Sequence, residues 1–336
     1  MTTTVTLAAR DFIVVAADSL ATASLDCIPS TAILNSFFEP GGAIKLDQQG
    51  KPLLASATQL INISQSLPVN QLPSVTKVFS LEPQKAALLF AGAMRIGDVS
   101  VKNIVAQFVV TPDFIACRTV EEIAEKLRDF IACIYNREIP NAEMRPTMEI
   151  LLSGYSKDYW QPEIFRLTFA WDWSKQTFNV ASGPEVTRGK YDVIFGGQYD
   201  VIQRVVNGID INSWLNLKQR VREVLSNYKD KIEKDLAAHG HQLVVISPDP
   251  ADADLDIFSK NWGGVTQIFA NVSDLSEQAG IEFVQFLITT MIKAQEFSSS
   301  IPTVGGEIHI AVIAKNSGFQ WVHKPYLERA RDSTHH

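Results

Sequence analysis

The chain has 336 residues, of which 46% are hydrophobic and 20% charged, a balance typical of a globular protein with one large domain or two smaller ones. The formal net charge of −7 argues against a nucleic-acid partner, which would require a basic surface. No apolar run approaches the ~18–20 residues that cross a bilayer, and no secretory signal is visible, so we expect a cytoplasmic protein without a membrane partner. The three cysteines, Cys27, Cys117 and Cys133, are too few and too widely spaced for a disulfide framework or a zinc site. We therefore predict no metal and no cofactor.

The first eighteen residues predict a two-stranded hairpin. Two short apolar segments, Val5–Leu7 and Phe12–Ala17, lie on either side of a polar turn at Arg10. The second strand ends at Asp18, which the hairpin would return to a position beside the first strand.

Thr2 is the candidate nucleophile of the chain. An initiator Met followed by a small residue is usually removed, and its removal would leave Thr2 with a β-hydroxyl and a free α-amino group. Such a threonine carries its own base, because the amine can accept the hydroxyl proton while the oxygen attacks a carbonyl carbon. An unperturbed α-amino group has a pKa of ~7.7–8.0, so much of it is deprotonated near neutral pH.

A threonine-first hairpin that ends in Ala17-Asp18-Ser19-Leu20-Ala21-Thr22 resembles the catalytic β subunits of proteasomes and their bacterial relatives, the N-terminal-nucleophile hydrolases. The resemblance implies an α+β fold, the four-layer αββα sandwich, as a single domain over residues 2–330. It implies a threonine endopeptidase that cleaves peptide or protein substrates. It also implies a homo-oligomer, by analogy a ring, and makes a separate ATPase a candidate partner.

The remaining predicted elements follow the order expected for this fold. They are strands over 74–81 and 86–90, helices over 99–109 and 119–136, strands over 147–153, 163–171, 177–182 and 193–197, a mostly helical segment over 199–238, a helix over 276–297 and a strand over 307–314. Because the strands come in consecutive runs, the pattern fits an αββα sandwich and not a parallel α/β sheet.

Two long segments are predicted insertions relative to the family. Residues 23–74 are rich in turn signals and include a predicted hairpin over 43–54. Residues 211–275 include an amphipathic helix over 215–236, which we interpret as a solvated helix packed on the body of the domain, with a partner-binding helix as the alternative. A long loop near an active site can cover the site, extend a pocket or make a subunit contact. Residues 331–336 are predicted to be a flexible tail.

The resemblance also assigns roles to individual residues. Lys77 would lower the pKa of the threonine amine through like-charge repulsion, and Asp18 would hold that lysine as its ion-pair partner. The backbone N–H of Gly92 would donate to the oxyanion of the intermediate. Lys45 is an alternative lysine, since it also lies on a strand-like segment after the hairpin. Lys77 is preferred because the strand, glycine and helix that follow it have the family's spacing.

Four apolar residues, Ala21, Phe79, Phe90 and Met94, fall near the positions that line the primary substrate pocket in the family. They favour a hydrophobic side chain before the scissile bond. The alternative is that these residues belong only to the hydrophobic core.

The sequence departs from the family at two places. Gly196 stands where the family has a supporting serine, and Ile301 and Val304 stand where it has an aspartate and a serine. Both departures remove hydrogen-bonding groups that position the threonine amine. Two alternatives to a peptidase therefore stay open, a catalytically inactive structural or assembly subunit and a small-molecule amidase with the same N-terminal chemistry.

Overall fold

The structure, a computed structural model, describes residues 2–27, 37–38, 44–46, 65–72, 74–157, 160–208, 210–239, 272–298 and 302–324. Its described strands are β1 (Thr3–Ala8), β2 (Phe12–Asp18), β3 (Ala21–Cys27), β4 (Gln65–Leu72), β5 (Val78–Ser80), β6 (Ala86–Gly92), β7 (Arg95–Ile96), β8 (Val99–Ser100), β9 (Met148–Tyr155), β10 (Pro162–Asp172), β11 (Thr177–Val186), β12 (Asp192–Gly197), β13 (Ile308–Ala314) and β14 (Gly318–His323). Its described α-helices are α1 (Val101–Phe108), α2 (Pro112–Ala116), α3 (Val120–Glu138), α4 (Asp200–Asn207), α5 (Ile211–Ala238) and α6 (Glu277–Glu296).

The N-terminal hairpin lies at the centre of a five-stranded antiparallel sheet with the order β12-β1-β2-β13-β14. Every residue of β1 and β2 is buried, because helices cover one face of this sheet and a second sheet covers the other. Strands buried on both faces read as continuous apolar runs instead of an alternating pattern, which accounts for the sequence Phe12–Ala17.

The second sheet also has five strands, in the order β11-β10-β9-β6-β5. Helices α1, α2 and α3 cover its outer face through a core that includes Phe108, Phe114 and Leu127. Helix α3 faces this core because its apolar residues recur at helical spacing, as in Ile123, Leu127, Ile131 and Ile134.

Helices α4 and α6 cover the outer face of the first sheet, where Ile202 and Val284 pack against Val5 and Val14. A third cluster, which includes Val15, Leu89 and Ile164, fills the space between the two sheets. The layers are therefore helices, sheet, sheet and helices. The predicted α+β fold, a four-layer αββα sandwich, is confirmed.

Several local features differ from the sequence-based expectation. The helical segment over 199–238 is two helices, because Gly208 ends α4 in the left-handed conformation with φ of 79°. Strand β14 and the separate β3–β4 sheet were not predicted. The predicted hairpin over 43–54 lies outside the described residues except for 44–46, where Ile44 forms an isolated bridge with Phe38. The extent of the two insertions and of the single domain remains a prediction.

None of the described helices combines the length and the apolar character needed to cross a membrane.

Substitution of Thr119 tests how much the N-cap of helix α3 contributes to the free energy of unfolding. Its Oγ1 accepts the N–H of Glu122 at 3.1 Å, and Glu122 Oε2 accepts the N–H of Thr119 at 3.2 Å, a capping box at the start of α3. We expect Thr119→Ala to lower the free energy of unfolding by about 1 kcal/mol, and Thr119→Ser, which keeps the hydroxyl, to change it by only a few tenths. Urea unfolding measures both, and equal losses in the two variants would contradict the capping role.

Candidate active site

Asp18 ends β2 and is completely buried. Its Oδ1 accepts hydrogen bonds from the backbone N–H of Thr3 and from Nζ of Lys77, each at 2.9 Å. Its Oδ2 accepts from the backbone N–H of Leu20 at 3.3 Å and of Gly305 at 3.1 Å. Four donors satisfy the approximately four acceptor positions of a carboxylate. Asp18 therefore ties the ends of three segments together: the start of β1, the end of β2 and the turn before β13.

Lys77 is also completely buried, and it forms an ion pair with Asp18. Its Nζ donates a second hydrogen bond to the carbonyl oxygen of Leu20 at 2.5 Å. Burial lowers the pKa of Lys77, and the neighbouring carboxylate opposes that shift. Burial likewise raises the pKa of Asp18, and Lys77 and the backbone donors act in the opposite direction.

Lys77 lies close to the start of the chain. Its Nζ and the N–H of Thr3 donate to the same oxygen of Asp18, so the two nitrogens are within about 6 Å of each other. The peptide unit that joins Thr2 to Thr3 therefore lies beside a buried cation. The structure does not bring Lys45 to Asp18: its backbone N–H donates to Phe37, and it forms no ion pair with Asp18 in the described part of the chain.

Thr2 borders a cleft of about 660 Å³ between the two sheets' ends and helix α4. The described residues that line the cleft are Thr2, Ala91, Gly92, Thr147, Glu149, Gly197, Gln198, Tyr199, Asp200, Gln203 and Asn212. Most of them are polar or small. Thr2, Asp18, Lys77 and Gly92, the four predicted catalytic residues, are thus gathered around one end of the sandwich, and their roles in catalysis remain predictions.

The backbone of Gln198 fixes the position of the first two residues. Its N–H donates to the carbonyl oxygen of Thr2 at 2.7 Å, and its carbonyl oxygen accepts the hydroxyl of Thr3 at 2.5 Å. The neighbouring Gly197 has a φ of 72°, and a Cβ there would collide with the carbonyl oxygen of Thr2. Only glycine lets the chain of β12 approach Thr2 this closely.

Gly92, which also lines the cleft, has the same requirement for glycine. Its φ is 85°, and a Cβ would lie 2.5 Å from the carbonyl oxygen of Thr147. Glycine is therefore the residue that fits at the end of β6, where the strand reaches the cleft.

Glu149 connects the cleft to the second sheet. Its Oε2 accepts the backbone N–H of Gly197 at 3.0 Å, and it forms an ion pair with Arg166. Arg166 also pairs with Glu185 and donates to the carbonyl oxygen of Phe195 at 2.8 Å. This group holds the end of β12 against β9. Sequence reasoning did not find it, because its members lie on strands far apart in the chain.

At Gly196, where the resemblance predicts a serine, the side chain of Thr4 occupies the space that a serine side chain would need. Gly196 pairs with Thr4 across the sheet, and a Cβ on Gly196 would collide with Oγ1 of Thr4. A side chain at 196 is therefore excluded by packing. Of the two residues in the second departure, Ile301 lies outside the described residues, and Val304 is buried with its N–H donating to Gln295 at 3.0 Å.

None of the four predicted pocket residues is among the described residues that line the cleft beside Thr2. Phe90 is completely buried under the outer helices, and Phe79 packs edge-on against it with ring centroids 5.5 Å apart. Met94 is partly buried against the same core. Ala21 begins β3. Their role in substrate binding remains a prediction.

Sequence reasoning missed Gln198, which lines the cleft, and also Thr303 and Gln295, which hydrogen bonds connect to Gln198. The only sequence signal for them is that Gln198 follows the Gly196-Gly197 pair at the position of the family's serine motif. Among the described residues, no group of His, Cys, Asp or Glu side chains is arranged to hold a metal ion.

No family model matches the sequence, and no curated protein is significantly similar to it. Among solved structures, Anbu (ancestral beta-subunit) from Yersinia bercovieri has 10% sequence identity and a TM-score of 0.39, with 99% of this chain and 92% of that chain covered. The Anbu (Gly-1) mutant from Hyphomicrobium sp. strain MC1 has 9% identity and a TM-score of 0.43, with 100% of both chains covered. At TM-scores this low, neither likeness carries a conclusion about function.

Lys77→Met tests the buried ion pair. Near pH 7 the variant leaves the Asp18 carboxylate buried without its cation, which costs about 3–5 kcal/mol of unfolding free energy. Without Lys77, burial raises the pKa of Asp18 in the folded protein above its unfolded value of ~3.9. The folded variant is therefore favoured at low pH, where Asp18 is protonated, and it loses this stability as the pH rises through the folded pKa. We therefore expect the difference from the wild type to shrink as the pH falls toward ~4.

Denaturant unfolding at several pH values measures this effect, and Lys102→Met, at an exposed lysine of α1, is the control. A pH-independent loss, or an equal loss in the control, would contradict the account.

Gly197→Ala tests the close approach at Thr2, with Gly189→Ala as its matched control. Both glycines have φ near 70°, and no atom lies within 4 Å of a Cβ placed on Gly189. Each alanine bears the strain of the left-handed conformation, about 1–2 kcal/mol. Gly197→Ala must in addition displace Thr2, so we expect its loss of unfolding free energy to exceed that of the control by about 1–3 kcal/mol. Similar losses of unfolding free energy in the two variants would show that β12 does not pack tightly against Thr2.

Proposed function

We propose that the protein is an amide hydrolase of the N-terminal-nucleophile type, with Thr2 as nucleophile after removal of the preceding methionine, and that its substrates are peptides. One observation carries the proposal, the completely buried Lys77–Asp18 ion pair next to the Thr2–Thr3 peptide unit. A buried ion pair contributes little net stability compared with apolar side chains of the same size. A catalytic use of the Lys77 charge therefore explains the ion pair better than a contribution to folding stability does.

The chemistry follows from the groups at the cleft. The α-amino group of Thr2 accepts the hydroxyl proton as Oγ1 attacks the carbonyl carbon of the substrate amide. The nearby ammonium of Lys77 keeps this amine neutral, because a second positive charge beside it is unfavourable. The N–H of Gly92 donates to the oxyanion of the tetrahedral intermediate.

The intermediate then collapses as the C–N bond breaks, and the leaving amine takes the proton from the α-ammonium group. This leaves an ester between the acyl group and Oγ1 of Thr2. Water attacks the ester carbon while the α-amino group accepts a water proton. The bond from carbon to Oγ1 then breaks, Oγ1 takes the proton back from the α-ammonium group, and the carboxylic acid is released.

A small-molecule amidase is the second candidate, and the size of the cleft favours it. About 660 Å³ lies within the ~300–1,000 Å³ typical of small-molecule sites. Assembly with further copies of the chain, a separate ATPase partner and a cytoplasmic location are proposed from the sequence resemblance alone.

Covalent labelling tests the proposal. A β-lactone should acylate Thr2, so that the intact mass of the protein lacks Met1 and rises by the mass of one lactone. We expect Thr2→Ser to label, because it keeps a hydroxyl, and Thr2→Ala not to label at all. The labelling rate should rise with pH to a plateau, with a midpoint below ~7.7, because Lys77 lowers the pKa of the amine.

Peptide and small-amide libraries then separate the two substrate classes. Retention of Met1, or a trimmed protein that never labels, would contradict the proposal and favour a structural or assembly subunit.

A further inference from the structure

A chain of three polar side chains runs from helix α6 to the Thr2 cleft. It begins at Gln295, whose Oε1 accepts the backbone N–H groups of Thr303 at 2.6 Å and Val304 at 3.0 Å. Gln295 is only 9% exposed. Two backbone donors fill both lone pairs of this carbonyl oxygen, so it has no capacity for another donor.

The hydroxyl of Thr303 is the second member of the chain. It lies 2.8 Å from Oε1 of Gln198 and 3.1 Å from Oε1 of Gln295. A threonine hydroxyl has one proton, and Gln295 Oε1 is already saturated. The proton of Thr303 is therefore donated to Gln198.

This hydrogen bond orients the side-chain amide of Gln198. With Oε1 held by Thr303, the amide directs its two N–H bonds elsewhere, and Nε2 donates to no residue in the described part of the chain. Gln198 also lines the cleft next to Thr2, and its backbone already holds Thr2 and Thr3 in place. The two N–H donors of this cleft-lining residue's side chain thus have no partner among the described residues.

We propose that the side-chain amide of Gln198 binds a backbone carbonyl of the substrate beside the scissile bond, and that Thr303 and Gln295 are positioning residues for it. This inference rests on the proposed function. An N–H donor selects an acceptor, and a peptide presents a carbonyl oxygen at every residue. Gln198 would therefore bind a second group of the substrate besides the amide that is cleaved. This contact favours a peptide over a small amide that has no further carbonyl group.

The test compares variants on an internally quenched peptide that the wild type cleaves, chosen from a mixed library. Gln198→Met keeps the length of the side chain and removes both N–H donors. A neutral hydrogen bond to the substrate corresponds to roughly a three- to tenfold change in binding. We expect KM to rise by that factor with kcat within about twofold of the wild type, because the contact is made to the bound substrate as well as to the transition state.

Thr303 supplies a matched pair of variants. Thr303→Val has the same shape without the hydroxyl and leaves the Gln198 amide unoriented, so KM should rise in the same direction by a smaller factor. Thr303→Ser restores the donor, and its KM should lie within about twofold of the wild-type value. A role that is only structural would not give this rescue together with an unchanged kcat.

A small β-lactone without a peptide chain separates this inference from the proposed function. The reaction of this lactone with the wild type reports on Thr2 alone, because the lactone has no further carbonyl group for Gln198 to bind. Unchanged KM in Gln198→Met would overturn the inference while the labelled wild type still supports the nucleophile. A wild type that neither labels nor cleaves would overturn both.

Discussion

The buried ion pair between Lys77 and Asp18 is the constraint on which the rest of the site depends. Neither charge reaches water, so every hydrogen-bonding position around the carboxylate must be filled. Lys77 fills one of them, and backbone N–H groups from three segments fill the others. The same contacts determine where β1 begins. The proposed mechanism uses this cation, because a positive charge so close to Thr2 would favour a neutral α-amine there once Met1 is removed.

The two departures from the motif that the sequence resembles have local physical explanations. Thr4 occupies the space that a side chain at Gly196 would need, so a serine is sterically excluded there. Near the second departure, the backbone N–H of Val304 is bound by Gln295, and the adjacent Thr303 connects that helix to Gln198. Polar contacts at the cleft are thus supplied by different residues, which accounts for the weak motif match without the loss of an ordered site.

The sequence predicted those features that depend on local patterns. Helical spacing and the N-cap Thr119 located α3 to within two residues at each end, and the consecutive strands indicated the sandwich. Strand β14 was missed because it is a short strand of six residues at the edge of its sheet, and none of its residues is fully buried. The link from Thr303 to Gln198 was missed because the two residues are 105 positions apart and neither has an unusual sequence context.

The most direct measurement is a crystal structure of the protein after reaction with a β-lactone. The account predicts an ester on Oγ1 of Thr2, with its carbonyl oxygen within hydrogen-bonding distance of the N–H of Gly92 and with Lys77 still paired to Asp18. Attachment at any other residue, or an ester whose carbonyl oxygen points away from Gly92, would contradict the proposed role of this end of the sandwich.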